Sequence, residues 1–443
     1  MAAGSKESLT VNKFEIKSNS NGRTFDIAKG DANSGIPGKV PVIEYRESVF
    51  TPFVEIKTIL VDEGTAIPED GGYVDVMNGL KIAGTEEVKF QITDGAGNTI
   101  RLTDTDDLRL GKPGVTIQAY KSTRTELTIY SKEVFDNTLV DNRVLQKLDG
   151  TISDAVIRIL RDDLGVEKSI QVDRTTEGVK NEFGEGRRPF DVILGLQPKA
   201  IPANVQDATG NCAGYLFWQT SEAFYFKSLD KIFDGEPVSR FVFNNKVSAV
   251  PPNFDDKILD FQVERTIDVL TNLEVGAYAT RMHVINSYAQ TYDTTQELIT
   301  PLEGNRPIAG AEIPKLHQDY FEKPTLQLVS EVPFGSFDLG QSMSAQAGVS
   351  TTPAFSVQNT VQQSLQNYRQ KFTISAVIVL PCNLSLHAGD LIYCEIPENS
   401  RKTTPRRDPR SSGIYMISDL CHYTNSTQAF TKLRLVRDSF GIR

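Results

Sequence analysis

The chain has 443 residues, of which 39% are hydrophobic and 23% are charged, and its formal net charge at pH 7 is −10. A chain of this length forms several domains, and this ordinary composition excludes an intrinsically disordered or fibrous protein. The negative net charge argues against a protein that binds nucleic acid along its outer surface.

Membrane insertion and secretion are not expected either. No apolar run approaches the roughly 20 residues that span a bilayer, and residues 1–10 lack the apolar core of a signal peptide. The four cysteines show no C-x-x-C spacing, so we expect reduced thiols rather than a zinc site or a disulfide framework. The sequence therefore predicts a protein of a cytosol-like compartment.

The first part of the chain divides into a polar lead-in and a β-rich unit. Residues 1–39 are polar and contain several glycines, and we interpret them as an N-terminal arm that is ordered only against a neighbour. Residues 40–133 contain β-rich runs separated by turn residues, with a hairpin at Asp94–Asn98. This stretch is predicted to be a first antiparallel β unit.

Residues 134–245 show mixed structure and are predicted to be an inserted α+β domain. A helix is indicated by apolar residues at helical spacing, with Thr151 or Ser153 as N-cap and Gly165 at its end. These apolar residues are Ile152, Val156, Ile159, Leu160 and Leu164. Two aromatic strands joined at Ser221–Glu222 follow and contain Tyr215, Phe217, Trp218, Phe224, Tyr225 and Phe226.

The second β unit is predicted to be split. Its strands fall in residues 246–286 and 371–443, and an insertion at residues 287–370 separates them. The insertion is rich in Pro, Ser and Gly and ends in a Gln-rich helix. We expect that helix to lie on one surface through a narrow apolar stripe formed by Val357, Val361, Leu365 and Tyr368.

The last stretch carries a family resemblance. A run L-x-A-G-D-L-I begins at Leu386, G-I-Y-x-I covers Gly413–Ile417, and T-x-L-x-L-x-R-D-S covers Thr431–Ser439. In this order and spacing the runs resemble the last barrel of the central baseplate hub of T-even-like contractile-tailed phages. They are also similar to the hub part of type VI secretion spike proteins. The resemblance continues upstream over most of residues 40–233.

This resemblance implies a mainly β (α+β) fold with two similar small antiparallel β-barrels and inserted α/β segments. The run around Leu80–Gly84 echoes that around Leu386–Gly389, which fits either a duplication or a chance likeness between hairpins. The resemblance further implies a homotrimer whose six barrels match a six-fold tail tube. Its partners would be a central spike, the tail tube or a tube initiator, and a tape-measure protein as a further candidate.

The same resemblance places the protein in the virion, in a tail baseplate assembled in the host cytoplasm, with DNA only in transit through the ring. Catalysis is not expected, because the sequence has four histidines and neither a G-x-S-x-G nor an H-E-x-x-H motif. No phosphate-binding loop or calcium loop spacing occurs. We therefore expect no cofactor and no metal.

Two sets of residues are interface candidates. The loop at residues 401–410 contains five basic residues and is either a solvated loop or a contact for an acidic neighbour or for DNA. These residues are Arg401, Lys402, Arg406, Arg407 and Arg410. Trp218 and Phe224 of the aromatic hairpin fit core packing, a subunit seam or a sugar platform. The alternative functions are thus a carbohydrate-binding or depolymerising protein and, more weakly, a DNA-binding ring.

Overall fold

A computed structural model of the chain describes residues 9–28, 42–104, 107–119, 122–203, 212–243, 256–265, 268–287, 290–298, 307–314, 316–331, 342, 358–398, 407–425 and 428–442. It is 47% strand and 18% helix, which confirms the mainly β prediction. None of the helices in these ranges is long and apolar enough to cross a membrane.

The strands are numbered in chain order. Those before residue 135 are β1 Leu9–Lys17, β2 Thr24–Asp26, β3 Val42–Ser48, β4 Glu55–Asp62, β5 Ile67–Glu69, β6 Gly72–Val74, β7 Glu87–Asp94, β8 Thr99–Leu102, β9 Leu108–Ala119 and β10 Ser122–Ser131. The next are β11 Lys147–Thr151, β12 Ser169–Val172, β13 Glu177–Phe183, β14 Tyr215–Gln219, β15 Ala223–Ser228, β16 Ser239–Val242 and β17 Asp260–Arg265. The last are β18 Ala279–Asn286, β19 Thr291–Leu298, β20 Leu326–Glu331, β21 Ile374–Pro381, β22 Leu391–Glu395, β23 Gly413–Asn425 and β24 Ala429–Arg437.

The helices are short and lie between these strands. They are α1 Val76–Leu80, α2 Glu133–Asp136, α3 Ile152–Arg158, α4 Pro189–Leu196, α5 Leu229–Asp234, α6 Val269–Glu274, α7 Gln318–Phe321 and α8 Ser364–Lys371. A π turn at Ile159–Asp163 continues α3, and another at Gln358–Gln363 precedes α8. The α3 prediction is confirmed, because Thr151 caps the helix and accepts a hydrogen bond from Asp154 N at 3.1 Å.

The N-terminal arm prediction is corrected for the described part. β1 pairs with β7 along its whole length, and Phe14 and Ile16 are fully buried in the core. A register shift between Val11 and Lys13 moves the inward positions by one residue. This β-bulge breaks the period-two pattern that would have indicated a strand in the sequence.

The two β units form one continuous sheet. Its strands run in the order β17-β21-β24-β23-β3-β4-β10-β9-β7-β1-β2, with β16, β22 and β8 attached at the side. β23 pairs with β22 through Gly413–Met416 and with β3 through Asp419–Asn425. A single hydrophobic core contains residues from both units, so they are packed together rather than merely linked.

Regular pairing among the described strands closes neither unit into a barrel. β23 is shared between the units, so part of its edge is occupied by β3 of the first unit. The nearest approach to closure is in the second unit, where Val242 at the end of β16 bridges Lys257, shortly before β17. The second unit is therefore a curled sheet that is antiparallel except for the parallel β16–β22 pair.

The insertion forms its own sheet in the order β19-β18-β20. β18 thus pairs within the insertion, whereas the sequence analysis grouped residues 279–286 with the second β unit.

The Gln-rich helix is confirmed, but its packing differs from the prediction. Val361 is 40% exposed and Val357 lies outside the described residues, whereas Gln362 and Gln366 are fully buried. The helix packs through its polar face because the side-chain amides of these glutamines donate hydrogen bonds to backbone carbonyls at the neighbouring sheet.

Candidate functional site

The most elaborate polar site lies where three parts of the chain meet. This site is formed by Glu47 on β3, the Ser221–Glu222 turn of the β14–β15 hairpin, and the His387–Asp390 turn before β22. We call these residues the junction cluster. The alternation of β3 directs Ile43, Tyr45 and Glu47 to the buried face. A carboxylate is therefore placed where strand geometry otherwise puts an apolar side chain.

Each oxygen of the Glu47 carboxylate is hydrogen bonded. Oε1 accepts from Tyr45 OH at 2.5 Å, from Ser221 N at 3.0 Å and from His387 Nδ1 at 3.2 Å. Oε2 accepts from Ala388 N at 3.1 Å and lies 3.3 Å from His387 Nδ1. Since these bonds occupy the oxygens, Glu47 is built to hold the chain rather than to abstract a proton from a substrate.

The electrostatics of the junction cluster favour an ion pair. Burial would raise the pKa of Glu47, but the hydrogen bond and charge of His387 hold that pKa below its ordinary value. Burial would likewise lower the pKa of His387, yet the hydrogen bond and charge of Glu47 raise it to about 9. At neutral pH the pair is therefore charged on both sides, and a buried charge pair of this kind is stable only while both partners remain.

Trp218 also holds the His387–Asp390 turn in place. Its indole Nε1 donates to Ala388 O at 2.9 Å, and the ring is almost fully buried. Gly389 has a φ of +91°, and a Cβ there would lie 2.4 Å from the Trp218 ring. Only glycine fits this close approach, so the L-x-A-G-D run is explained by packing against the aromatic hairpin.

A cleft of about 740 Å³ opens beside the junction cluster and is lined by Arg101, Tyr225, His387 and Asp390 among others. Its aromatic lining residues are Trp218 and Tyr225. Trp218 and Phe224 are buried, and the partly exposed Tyr225 ring stacks on Trp218 at 5.0 Å and lies 4.8 Å from Lys227 Nζ. The aromatic hairpin is therefore a core and junction element.

The basic loop is only partly described. Arg401, Lys402 and Arg406 lie outside the described residues. Arg407 donates from Nε to Glu395 Oε1 at 2.8 Å, and Arg410 lies over the Phe440 ring at 5.8 Å. These two arginines lie in the loop between β22 and β23, and neither lines the cleft beside the junction cluster.

Sequence reasoning missed Glu47, His387 and Arg240 as members of polar sites. Glu47 could have been found from strand alternation, because it occupies the third inward position after Ile43 and Tyr45. His387 and Arg240 carry no such signal, since their partners are 340 and 155 residues away.

Among the described residues, no group of three His, Cys, Asp or Glu side chains is placed to hold a metal ion.

Comparison with known proteins gives matches in structure only. No protein-family model matches the chain, and no curated protein sequence does. The 43 kDa tail protein of prophage MuSo2 from Shewanella oneidensis superimposes with a TM-score of 0.53 at 9% identity, covering 96% of this chain and 98% of its own. The chain shares the fold of a phage tail protein.

Two further solved structures align over nearly the whole chain. A tail protein from Neisseria meningitidis MC58 has a TM-score of 0.49 at 10% identity, with 96% of this chain and 97% of that chain covered. An Escherichia coli component of the type VI secretion system, described as similar to the T4 tail proteins gp27 and gp5, has a TM-score of 0.40 at 8% identity. That alignment covers 98% of this chain and 79% of the other.

Proposed function

We propose that the chain is a structural hub subunit of a contractile phage tail baseplate and has no enzymatic role. The observation that carries this proposal is the β3–β23 pairing, which joins the two β units into one sheet with one core. A subunit built in this way holds two β units at a fixed spacing. The likeness in fold to a phage tail protein over 96% of the chain supports the same reading.

In this proposal three subunits form a ring that presents six β units. The ring would match the symmetry of a three-fold spike on one side and a six-fold tail tube on the other. A cyclic trimer uses two different faces of each subunit, so exposed strand edges and apolar side chains would be covered by neighbouring copies. The work of the hub is mechanical coupling, which requires a rigid connection between its β units.

The proposed partners follow from this position. They are the central spike protein, the tail tube or tube-initiator protein, and a tape-measure protein inside the tube. DNA would cross the lumen only in transit, and the net charge of −10 would keep it from adhering to the ring. The protein would be assembled in the host cytoplasm and reside in the virion tail.

The test is the mass of the purified chain in solution. Light scattering on a size-exclusion peak is expected to give three times the monomer mass, either for the chain alone or for the chain co-expressed with the spike of the same tail. The proposal is abandoned if only monomers are found under both conditions.

A further inference from the structure

The part of the chain that carries the sheet β19-β18-β20 has little apolar core of its own. We call its described residues, from α6 to β20, the insertion lobe. Their buried apolar side chains fall into two small clusters that are separate from the core of the β units, with Ala277, Tyr278 and Ile313 in one and Met282 in the other. A three-stranded sheet is stable only with a sufficient hydrophobic face or with a helix packed on it. We therefore expect the insertion lobe to depend on its neighbours for its fold.

The sheet of the insertion lobe is attached to the Gln-rich helix by polar contacts. Gln366 Nε2 donates to Tyr278 O at 3.1 Å, Thr295 Oγ1 donates to Gln362 Oε1 at 3.0 Å, and Gln362 Nε2 binds Thr280. Each hydrogen bond of this kind contributes only about 1 kcal/mol net, because water replaces it when the groups separate. Among the described residues of the lobe, Ala309 is the one that belongs to a hydrophobic cluster of the β units and the α+β domain.

A second attachment is formed by two backbone segments, 309–312 of the insertion lobe and 438–441 after β24, which we call the latch. The N–H groups of residues 309–312 donate to Asp438, Ser439 and Phe440 at distances between 2.6 and 3.1 Å, and Phe440 N donates to Glu312 O at 2.8 Å. A Cβ at Gly310 would lie 2.2 Å from Phe440 O, so only glycine allows the two segments to approach this closely.

A buried lysine joins the latch to the rest of the chain. Lys371 Nζ, at the end of α8, lies 2.9 Å from Asp438 Oδ2 and 3.8 Å from Asp230 Oδ1 on α5, and it donates to Pro307 O. Burial would raise the pKa of Asp438, but the charge of Lys371 holds that pKa below its ordinary value. Such a buried ion pair is stable only while both partners remain, so opening the latch would leave Lys371 without its nearest carboxylate.

We propose that the insertion lobe is an order–disorder switch, folded while the latch and Lys371 hold it and unfolding as a unit when they open, with both β units remaining folded. Opening hydrates the hydrogen-bonding groups and the ion pair and exposes little apolar surface, whereas the β units share one large core. A partner that displaced residues 309–312 from the latch would release the lobe and leave the spacing of the β units unchanged. This switch goes beyond the proposed function and does not depend on a trimer.

Hydrogen exchange of the full-length chain in increasing, sub-denaturing urea tests the switch. In the wild type, the amides of β18 and β20 should exchange through one common opening. Its free energy should be lower than that of the opening that exposes β23, and it should depend less on urea because less surface is exposed.

Asp438→Asn tests the role of the latch. The new side chain keeps an acceptor for Ala309 N but loses the charge that faces Lys371, so the amides of β18 should exchange at least about tenfold faster, with those of β7 unchanged. Asp419→Asn on β23 is the matched control. Asp419 accepts from Ser48 Oγ at 2.6 Å and from Ser418 Oγ at 3.0 Å, and this variant should leave the exchange of β18 at the wild-type rate.

Three results would overturn the inference. They are equal opening free energies and urea dependences for β18 and β23 in the wild type, equal acceleration of β7 and β18 by Asp438→Asn, and equal acceleration of β18 by the control. If Asp438→Asn does not fold, the urea series on the wild type decides alone. A monomeric chain whose lobe opens separately would contradict the ring and leave the switch standing.

Discussion

At the scale of single residues, Glu47 connects three segments that are far apart in the sequence. Its carboxylate accepts hydrogen bonds from the Ser221 turn of the aromatic hairpin and from the His387–Ala388 turn of the second β unit. The inward position of Glu47 is readable from strand alternation, whereas its partners are not. A pair separated by 340 residues depends on how the sheets pack, which local periodicity does not encode.

Replacing Glu47 with glutamine tests this connection. Glu47→Gln leaves the His387 charge with only the exposed Glu222 carboxylate, 3.7 Å from Nε2, as an ion-pair partner. We therefore expect the free energy of unfolding to fall by about 3 kcal/mol. Urea unfolding followed by fluorescence measures the change. Glu44→Gln, on the same strand, removes only a surface pair with Arg46 and should cost less than about 1 kcal/mol. Equal effects of the two substitutions would show that the junction cluster does not hold the units together.

The same pair predicts how stability depends on pH. Since Glu47 raises the pKa of His387 to about 9, protonated His387 stabilises the folded state fully below its ordinary pKa of about 6.5. That contribution is lost as the pH rises through about 9. The wild type should therefore lose more free energy of unfolding between about pH 7 and about pH 10 than His387→Gln does. Burial lowers the pKa of the nearby His422 to about 4, so His422 does not titrate in this window. Parallel curves for the two proteins would contradict the assignment.

At the scale of elements, the sequence predicts those that show regular periodicity. The α3 helix and the strands β21 to β24 follow their apolar spacing, and the hairpin at Asp94–Asn98 closes as expected, with Asp94 N donating to Asn98 O at 2.9 Å. β1 is missed because a bulge shifts its register. The packing of α8 is missed because buried glutamines satisfy backbone groups, and polar residues at helical spacing do not predict burial.

The Gln-rich helix gives a prediction at this scale. Gln362 Nε2 donates to Thr280 O at 3.0 Å and to Thr280 Oγ1 at 2.9 Å, so Gln362→Leu leaves these groups of β18 without the amide donor. Amides of β18 should then exchange with solvent about tenfold faster, as for the loss of about 1.4 kcal/mol of local stability. Arg369→Leu on the exposed face of α8 is the control for hydrogen exchange by mass spectrometry. Unchanged exchange in Gln362→Leu would show that the helix does not anchor the sheet.

At the scale of the whole molecule, the two β units behave as one body in the structure. β23 serves both units, the core runs through both, and Asp94 of the first unit accepts a hydrogen bond from Leu384 N of the second at 3.1 Å. Turns at Gly84 and Gly389 lead into β7 and β22. In each turn a carboxylate, Glu86 in the first and Asp390 in the second, accepts hydrogen bonds from backbone N–H groups of the turn. This likeness fits a duplication, although two similar hairpins also arise by chance.

The proposed ring depends on this rigid pairing of units, because only a fixed spacing lets three chains present six equivalent positions. The most direct measurement is electron microscopy of the purified assembly, with class averages along the ring axis calculated without imposed symmetry. We predict six densities around a central hole, related by a three-fold axis. Averages with three densities, or a closed particle without a hole, would contradict the hub.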